Sequence, residues 1–228
     1  YDAIAQAQLP YTAHILGNHE FDYTPDFLER FIRAFDTGNG LTQPFLSANL
    51  DFSGEPGFND LVDADGLIDG TPEESRVVAK SLIYTDPTTG AQFGIIGATT
   101  SGLSNVSSPR NVVAGPEVTA VQTEIDRLTE QGINKIIFVS HLQDSNNDIA
   151  LIGQLRGVDV AVAGGSDEFL LNSTIPEATQ RLPGHTSEKE GEYPTPVQDA
   201  DGNTVYLVTS VDKYRYLGRL DVAFDAEG

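Results

Sequence analysis

The chain holds 228 residues, with 34 acidic side chains against 13 Lys and Arg, a formal net charge of -21 and no Cys. That charge repels nucleic acid and anionic membrane surfaces, so a nucleic acid polymer is excluded as a partner held by bulk charge. The absence of Cys removes disulfides, thiolate nucleophiles and thiolate metal sites, while a hydrophobic content of 39% is too high for a disordered acidic tail. In chain order, Tyr1-Asp2-Ala3-Ile4-Ala5 has neither the basic start nor the apolar segment of a signal peptide, and Met is absent. The sequence therefore reads as a piece of a longer chain. No apolar run approaches the ~18 residues of a membrane span.

Residues 12–17 read as a short buried strand running into Asn18-His19. Residues 25–35 read as a helix, with Pro25 in its first turn and Phe27, Leu28, Phe31, Ile32 and Phe35 on one face. Strands are expected over 45–50, 76–84 and 92–98, the last two joined in a hairpin by Asp86-Pro87-Thr88-Thr89-Gly90. Residues 117–131 carry an amphipathic helical pattern on Val118, Val121, Ile125 and Leu128, closed by Gly132. A strand over 135–140 then leads into His141, followed by a helix over 147–156 and a strand over 158–163. The stretch 172–199 contains Pro176, Pro183, Pro194 and Pro196 and is expected to be mostly loop. Strands over 205–209 and 216–224 close the pattern. Strands alternating with helices point to a layered α/β fold.

Three clusters carry possible chemistry, each just beyond an apolar strand, where open α/β sheets place ligands. In Gly17-Asn18-His19-Glu20-Phe21-Asp22, Asn18 offers an amide oxygen to a hard cation, and His19 offers an acid that Asp22 is close enough to orient. The competing reading is a capping cluster, with Asp22 or Thr24 starting the next helix. His141 ends the run Ile136-Ile137-Phe138-Val139-Ser140, with Asp144 and Asn146 as possible supporting partners. In Gly164-Gly165-Ser166-Asp167-Glu168 the glycines permit close approach, and the carboxylates can coordinate metal.

Weaker signals read as structural. Asp63-Ala64-Asp65-Gly66-Leu67-Ile68-Asp69-Gly70 imitates a Ca²⁺ loop but places Leu61 and Pro72 where carboxylates belong. His185 reads as a solvated loop residue, and Arg30 and Arg33 as the solvent face of their helix.

The run Gly17-Asn18-His19-Glu20-Phe21-Asp22-Tyr23 resembles the signature of secreted 5′-nucleotidases in the calcineurin-like metallophosphoesterase superfamily. The likeness continues in order through Phe45-Leu46-Ser47-Ala48-Asn49-Leu50, Gly94-Ile95-Ile96-Gly97, Ile136 to His141, Gly157-Val158-Asp159-Val160 and Tyr216-Leu217-Gly218-Arg219-Leu220-Asp221-Val222. It implies an α-β-β-α sandwich with mixed sheets, spanning residues 1–228 as one metallophosphoesterase domain. It further implies two divalent ions (Zn, Mn, Mg or Ca), with Asn18 and His141 as metal ligands. His19, oriented by Asp22, would act on the transferring phosphoryl group, with Asn18 and His19 touching a small phosphate ester or nucleotide. An extracellular, cell-surface or periplasmic location follows from the same likeness.

The sequence departs from the family where Ser166 stands in place of a metal-binding His. Asp167 or Glu168 is the substitute, which favours harder cations. This Gly-Gly-x-Asp-Glu form resembles that of atypical bacterial alkaline phosphatases. The family's Asp-x-His and Gly-Asp segments are expected ahead of Tyr1, and its nucleotide-recognition domain beyond Gly228. A non-catalytic scaffold that keeps the fold with degraded ligands at Ser166 stays open as the alternative.

Overall fold

In the computed structural model, which describes residues 1–36, 43–72, 76–211 and 215–225, the apolar runs pair into two facing sheets. The strands are β1 (His14–Ile15), β2 (Phe45–Leu46), β3 (Leu50–Asp51), β4 (Leu67–Asp69), β5 (Val78–Ala79), β6 (Ser81–Thr85) and β7 (Gln92–Thr99). They continue as β8 (Val113–Ala114), β9 (Ile136–His141), β10 (Val160–Gly164), β11 (Leu170–Leu171), β12 (Gly191–Glu192), β13 (Thr195–Gln198) and β14 (Thr204–Val208). The helices are α1 (Asp2–Gln6), α2 (Pro25–Arg33), α3 (Leu103–Val106), α4 (Glu117–Glu130), α5 (Ser145–Ile152) and α6 (Glu177–Gln180).

The larger sheet runs in the order β13-β14-β10-β9-β7-β6-β4, and the smaller, all-parallel sheet in the order β1-β2-β5. Strands β7, β9, β10 and β14 are parallel, whereas β6 and β13 run against their neighbours β7 and β14. The parallel register aligns Thr99 with His141 and His141 with Gly164, so the ends of three strands share one sheet edge.

Period-2 alternation on these strands divides the apolar side chains between layers. Ile96, Ala98, Ile136, Phe138, Ala161, Ala163, Val205 and Leu207 pack with Val121, Ile125 and Leu128 of α4 and Leu151 and Ile152 of α5. Leu28, Ile32 and Phe35 cover Phe45 and Val78 on the outer face of the smaller sheet. Between the sheets lie Leu46, Ile68, Ala79 and Leu82. A Cβ added at Gly97 would stand 2.5 Å from the Leu46 carbonyl oxygen, so the two sheets meet there backbone to backbone. The layering is α-β-β-α, with mixed strand directions.

Several expectations change. The strand over 45–50 divides into β2 and β3, because Asn49 turns its side chain back onto Thr99 and Gly115. The Pro-rich stretch contains β13, an edge strand that tolerates Pro196 because the outer side of an edge needs no N–H donor. Residues 216–224 form no strand. Their apolar alternation finds no partner edge, and Phe224 instead packs its ring against Phe93 at 5.7 Å. Phe27 is 53% exposed, so the buried face of α2 is narrower than its sequence pattern. His185 is half-buried and not freely solvated: its Nδ1 is hydrogen-bonded to the Tyr216 hydroxyl and its ring lies against Phe169. Arg33 forks onto Asp60 and bonds Glu29, tying α2 to the following loop.

Candidate functional site

At the end of β1 the chain tightens into a 3-10 turn, His19–Phe21, anchored by Phe21, which is fully buried. The Glu20 carboxylate turns back to accept the Gly17 N–H at 2.7 Å, closing the loop that presents Asn18 and His19. His19 Nδ1 lies 2.7 Å from Asp22 Oδ2, and the Ser107 hydroxyl donates to Asp22 Oδ1 at 2.9 Å. These two bonds, that to His19 first, hold the Asp22 carboxyl below its ordinary range. An ionised carboxylate only accepts, so the His19 proton sits on Nδ1 and Nε2 is the ring's outward, chemically free nitrogen. The His19 side chain is 73% exposed, which leaves Nε2 open to a ligand. Asp22 does not act as a side-chain cap of α2, whose N-cap is Thr24.

His141 sits between two glycines. A Cβ at Gly17 would stand 2.6 Å from its Nδ1, and one at Gly165 would stand 2.7 Å from its Nε2. Gly165 also has φ +82°, a conformation that L side chains rarely adopt. Burial lowers the His141 pKa, with Glu20 opposing and His19 assisting that shift. The imidazole is thereby biased to the neutral form that offers a lone pair. Asn18 is only 4% exposed and accepts a hydrogen bond from Gln143 Nε2 at 2.7 Å through Oδ1, which keeps a second lone pair.

The structure thus brings Asn18, His19, Asp22 and His141 together from stretches more than a hundred residues apart. Asp167 is exposed, and the Ser166 hydroxyl lies 3.1 Å from Thr209 Oγ1. Glu168 accepts from Ser145 at 2.7 Å, while its Oε2 is buried without a hydrogen-bond partner. Burial pushes the Glu168 carboxyl up, but the Ser145 and Ser166 hydroxyls outweigh it and hold it below its ordinary value. Nearby, fully buried Asp148 accepts from Ser140, and burial drives its pKa to about 7.

A neutral imidazole, an amide oxygen and a buried carboxylate oxygen with an open lone pair are donors suited to a divalent cation. Of these, the Asn18 and His141 donors meet at one turn and fit part of a metal shell. Among the described residues no group of three or more His, Asp or Glu side chains gathers to complete one. Gln143, Glu20 and Ser107 escaped sequence reasoning as site partners. Gln143, just past β9, and Ser107, at the end of α3, lie outside the motifs and reach the turn only in the folded chain. Asp144, expected as a supporting partner of His141, instead caps α5 by accepting the Asn146 N–H at 2.8 Å. Asp63 Oδ1 accepts the N–H groups of Asp65 and Leu67, which accounts for the Ca²⁺-loop imitation as a turn.

No protein-family model matches the chain. A calcineurin-like phosphoesterase from Bacillus subtilis aligns at a TM-score of 0.51 and 19% identity, covering 90% of this chain and 56% of that one, a likeness of fold alone. The structure of a 5′-nucleotidase precursor from Thermus thermophilus aligns at a TM-score of 0.72 and 30% identity, covering 92% of this chain and 35% of that one. The 5′-nucleotidase of Diplobatis ommata is 31% identical over 222 residues, covering 94% of this chain and 32% of that protein. The layered fold is that of the calcineurin-like phosphoesterases. Within that class the chain matches one segment of the 5′-nucleotidase family, and it spans about a third of the length of the curated relatives it matches.

Proposed function

We propose that this chain carries part of the catalytic centre of a metal-dependent phosphate monoester hydrolase, of 5′-nucleotidase or alkaline-phosphatase type. One observation supports the reading above all: the His19–Asp22 pair, bonded at 2.7 Å, lies beside a His141 ring held between Gly17 and Gly165. In this reading Asn18 and His141 are metal ligands, joined by a carboxylate from Asp167 or Glu168. Glu168 has the open, buried oxygen, and Asp167 reaches solvent. Two divalent ions (Zn, Mn, Mg or Ca), when bound, would supply an activated water and offset the negative charge of the phosphate. The chain's own residues do the rest. Asp22 fixes the His19 ring through Nδ1, and Nε2, when protonated, donates to the departing ester oxygen. Asn18 and His19 meet the phosphoryl group from the turn that Glu20 closes.

The substrate is a small phosphate ester or nucleotide, and the setting extracellular, cell-surface or periplasmic. No helix among the described residues is long and apolar enough to cross a membrane. A second reading, a scaffold with degraded ligands, is favoured by Ser166 standing where the family's metal-binding His is expected, with its hydroxyl 3.1 Å from Thr209 Oγ1. The native full-length protein separates the two. Elemental analysis with p-nitrophenyl phosphate and nucleoside monophosphate assays should find stoichiometric divalent metal and chelator-sensitive hydrolysis. His19→Ala should then cut kcat by about 10²–10⁴ with metal content retained, whereas Asn18→Ala and His141→Ala lower both. A folded protein without metal or hydrolysis under Mg²⁺, Mn²⁺, Ca²⁺ or Zn²⁺ leaves the scaffold.

A further inference from the structure

Beneath the turn that carries Asn18 and His19 lies a buried polar knot for which the chemistry above assigns no role. Ser47, Asn49 and Thr99 are 4%, 6% and 0% exposed. Asn49 Oδ1 accepts the Thr99 N–H at 2.9 Å, and its Nδ2 donates to the Thr99 and Gly115 carbonyls at 2.7 and 2.9 Å. Thr99 Oγ1 donates to the Leu16 carbonyl at 2.6 Å. A hydroxyl has one proton, so Thr99 accepts in its 2.8 Å bond with Ser47, whose single proton also has Asn49 Oδ1 within reach at 3.2 Å. The result is a directed chain from Ser47 through Thr99 to Leu16, in which each bond polarises the next.

Its position gives the knot a purpose. Leu16 immediately precedes Gly17, whose bare α-carbon lies against the His141 ring. Thr99 is also the strand partner of His141, and the Thr100 N–H donates to the His141 carbonyl at 3.1 Å. One side chain therefore touches the backbone that launches Asn18 and His19 and belongs to the strand pair that delivers His141. Sheet pairing alone does not join these parts, because β1 belongs to the smaller sheet and β7 and β9 to the larger.

We propose that Thr99, held by Ser47 and Asn49, is a positioning residue that sets the Asn18–His19 turn against His141 across the two sheets. The proposal rests on the phosphoesterase reading for its consequence in catalysis, but its geometry is testable without a metal. Thr99→Val keeps the shape and removes the hydroxyl, and Thr99→Ser returns it. Ser81→Ala serves as a control, since Ser81 is equally buried, on neighbouring β6, and its hydroxyl bonds Glu124. In the native chain, ¹⁵N imidazole signals of His19 and His141 at one fixed pH, Mn²⁺ affinity and urea midpoints are compared.

Thr99→Val should move both imidazole signals and weaken Mn²⁺ binding by about tenfold or more, and Thr99→Ser should restore them. Ser81→Ala should lower the urea midpoint without moving either ring. Unmoved ring signals in Thr99→Val, or equal movement in Ser81→Ala, would overturn the proposal. Should Thr99→Val not fold, Ser47→Ala removes the donor to Thr99 while leaving Leu16 bonded. A smaller shift of the same signals is then expected, and its absence overturns the proposal equally. A wild-type protein that takes up none of Mg²⁺, Mn²⁺, Ca²⁺ and Zn²⁺ defeats the phosphoesterase reading instead, with the ring signals still deciding the role of Thr99.

Discussion

Because Gly17 and Gly165 both present bare α-carbons to His141, the ring's orientation depends on two residues that contribute no side chain. Gly165 combines two constraints, a φ of +82° and a His141 Nε2 that an added Cβ would meet at 2.7 Å. Gly132 supplies the comparison, having φ +84° with nothing within 4 Å of an added Cβ. Gly132→Ala should therefore cost only the backbone strain, about 1–3 kcal/mol. Gly165→Ala should cost more than that, and it alone should weaken divalent-metal binding by displacing the ring. Urea midpoints and Mn²⁺ titrations of the two variants check this. Equal stability losses with equal metal affinities would show that the cradle does not hold His141. Close approach of this kind was legible in Gly164-Gly165, since paired glycines after a buried strand announce a backbone that something must approach. That the approaching group is His141 was not, because it depends on the register of β9 and β10.

Among the elements, those with long apolar periods were readable and those defined by partners were not. Ile136 to His141 alternates buried and half-buried residues as the sequence pattern requires, and α4 buries Val121, Ile125 and Leu128 as spaced. β13 escaped because Pro194 and Pro196 disguise an edge strand as loop, and residues 216–224 misled because alternation cannot show whether an edge is free. Helix α5 carries the element's most consequential residue, Asp148, which is fully buried and whose Oδ2 has no hydrogen-bond partner. Burial raises its pKa from 3.8 to about 7. Across that window the folded protein holds a proton that the unfolded chain has released, so this group's contribution to stability falls as pH rises. Asp148→Asn cannot ionise. Its stability relative to wild type should rise by about 2–3 kcal/mol between pH 5 and pH 8. His14 and His141, whose pKa values burial lowers, act in the opposite sense below about pH 6.5. They are common to both proteins and cancel in the difference. Urea titrations at the two pH values decide it, and a constant difference would mean that Asp148 is already ionised in the fold.

For the whole molecule, a net charge of -21 makes mutual repulsion a larger force than ion pairing. Much of the basic complement is already committed: Arg33 to Glu29 and Asp60, Arg110 to Asp26 and Glu55, Arg156 to Asp201, Arg181 to Glu177. With 34 acidic groups against 13 Lys and Arg, these pairs leave the negative charge far from balanced. Salt acts on both sides of this balance. It weakens each exposed ion pair, but such a pair is worth only about 0–1 kcal/mol. It also shortens the Debye length from about 10 Å at 0.1 M to about 3 Å at 1 M, which quiets repulsion among 34 acidic groups. Repulsion involves many more pairs than attraction does, so the net effect of salt should be stabilising. The urea midpoint should climb steeply as NaCl rises from about 0.05 M and flatten by about 0.5 M, where the Debye length falls below the spacing of surface charges. Strengthening of apolar burial by salt exclusion would instead grow steadily to the highest concentration. A midpoint that is flat or falls over the low-salt range would show that the ion pairs, and not the carboxylate surplus, set this molecule's response to salt.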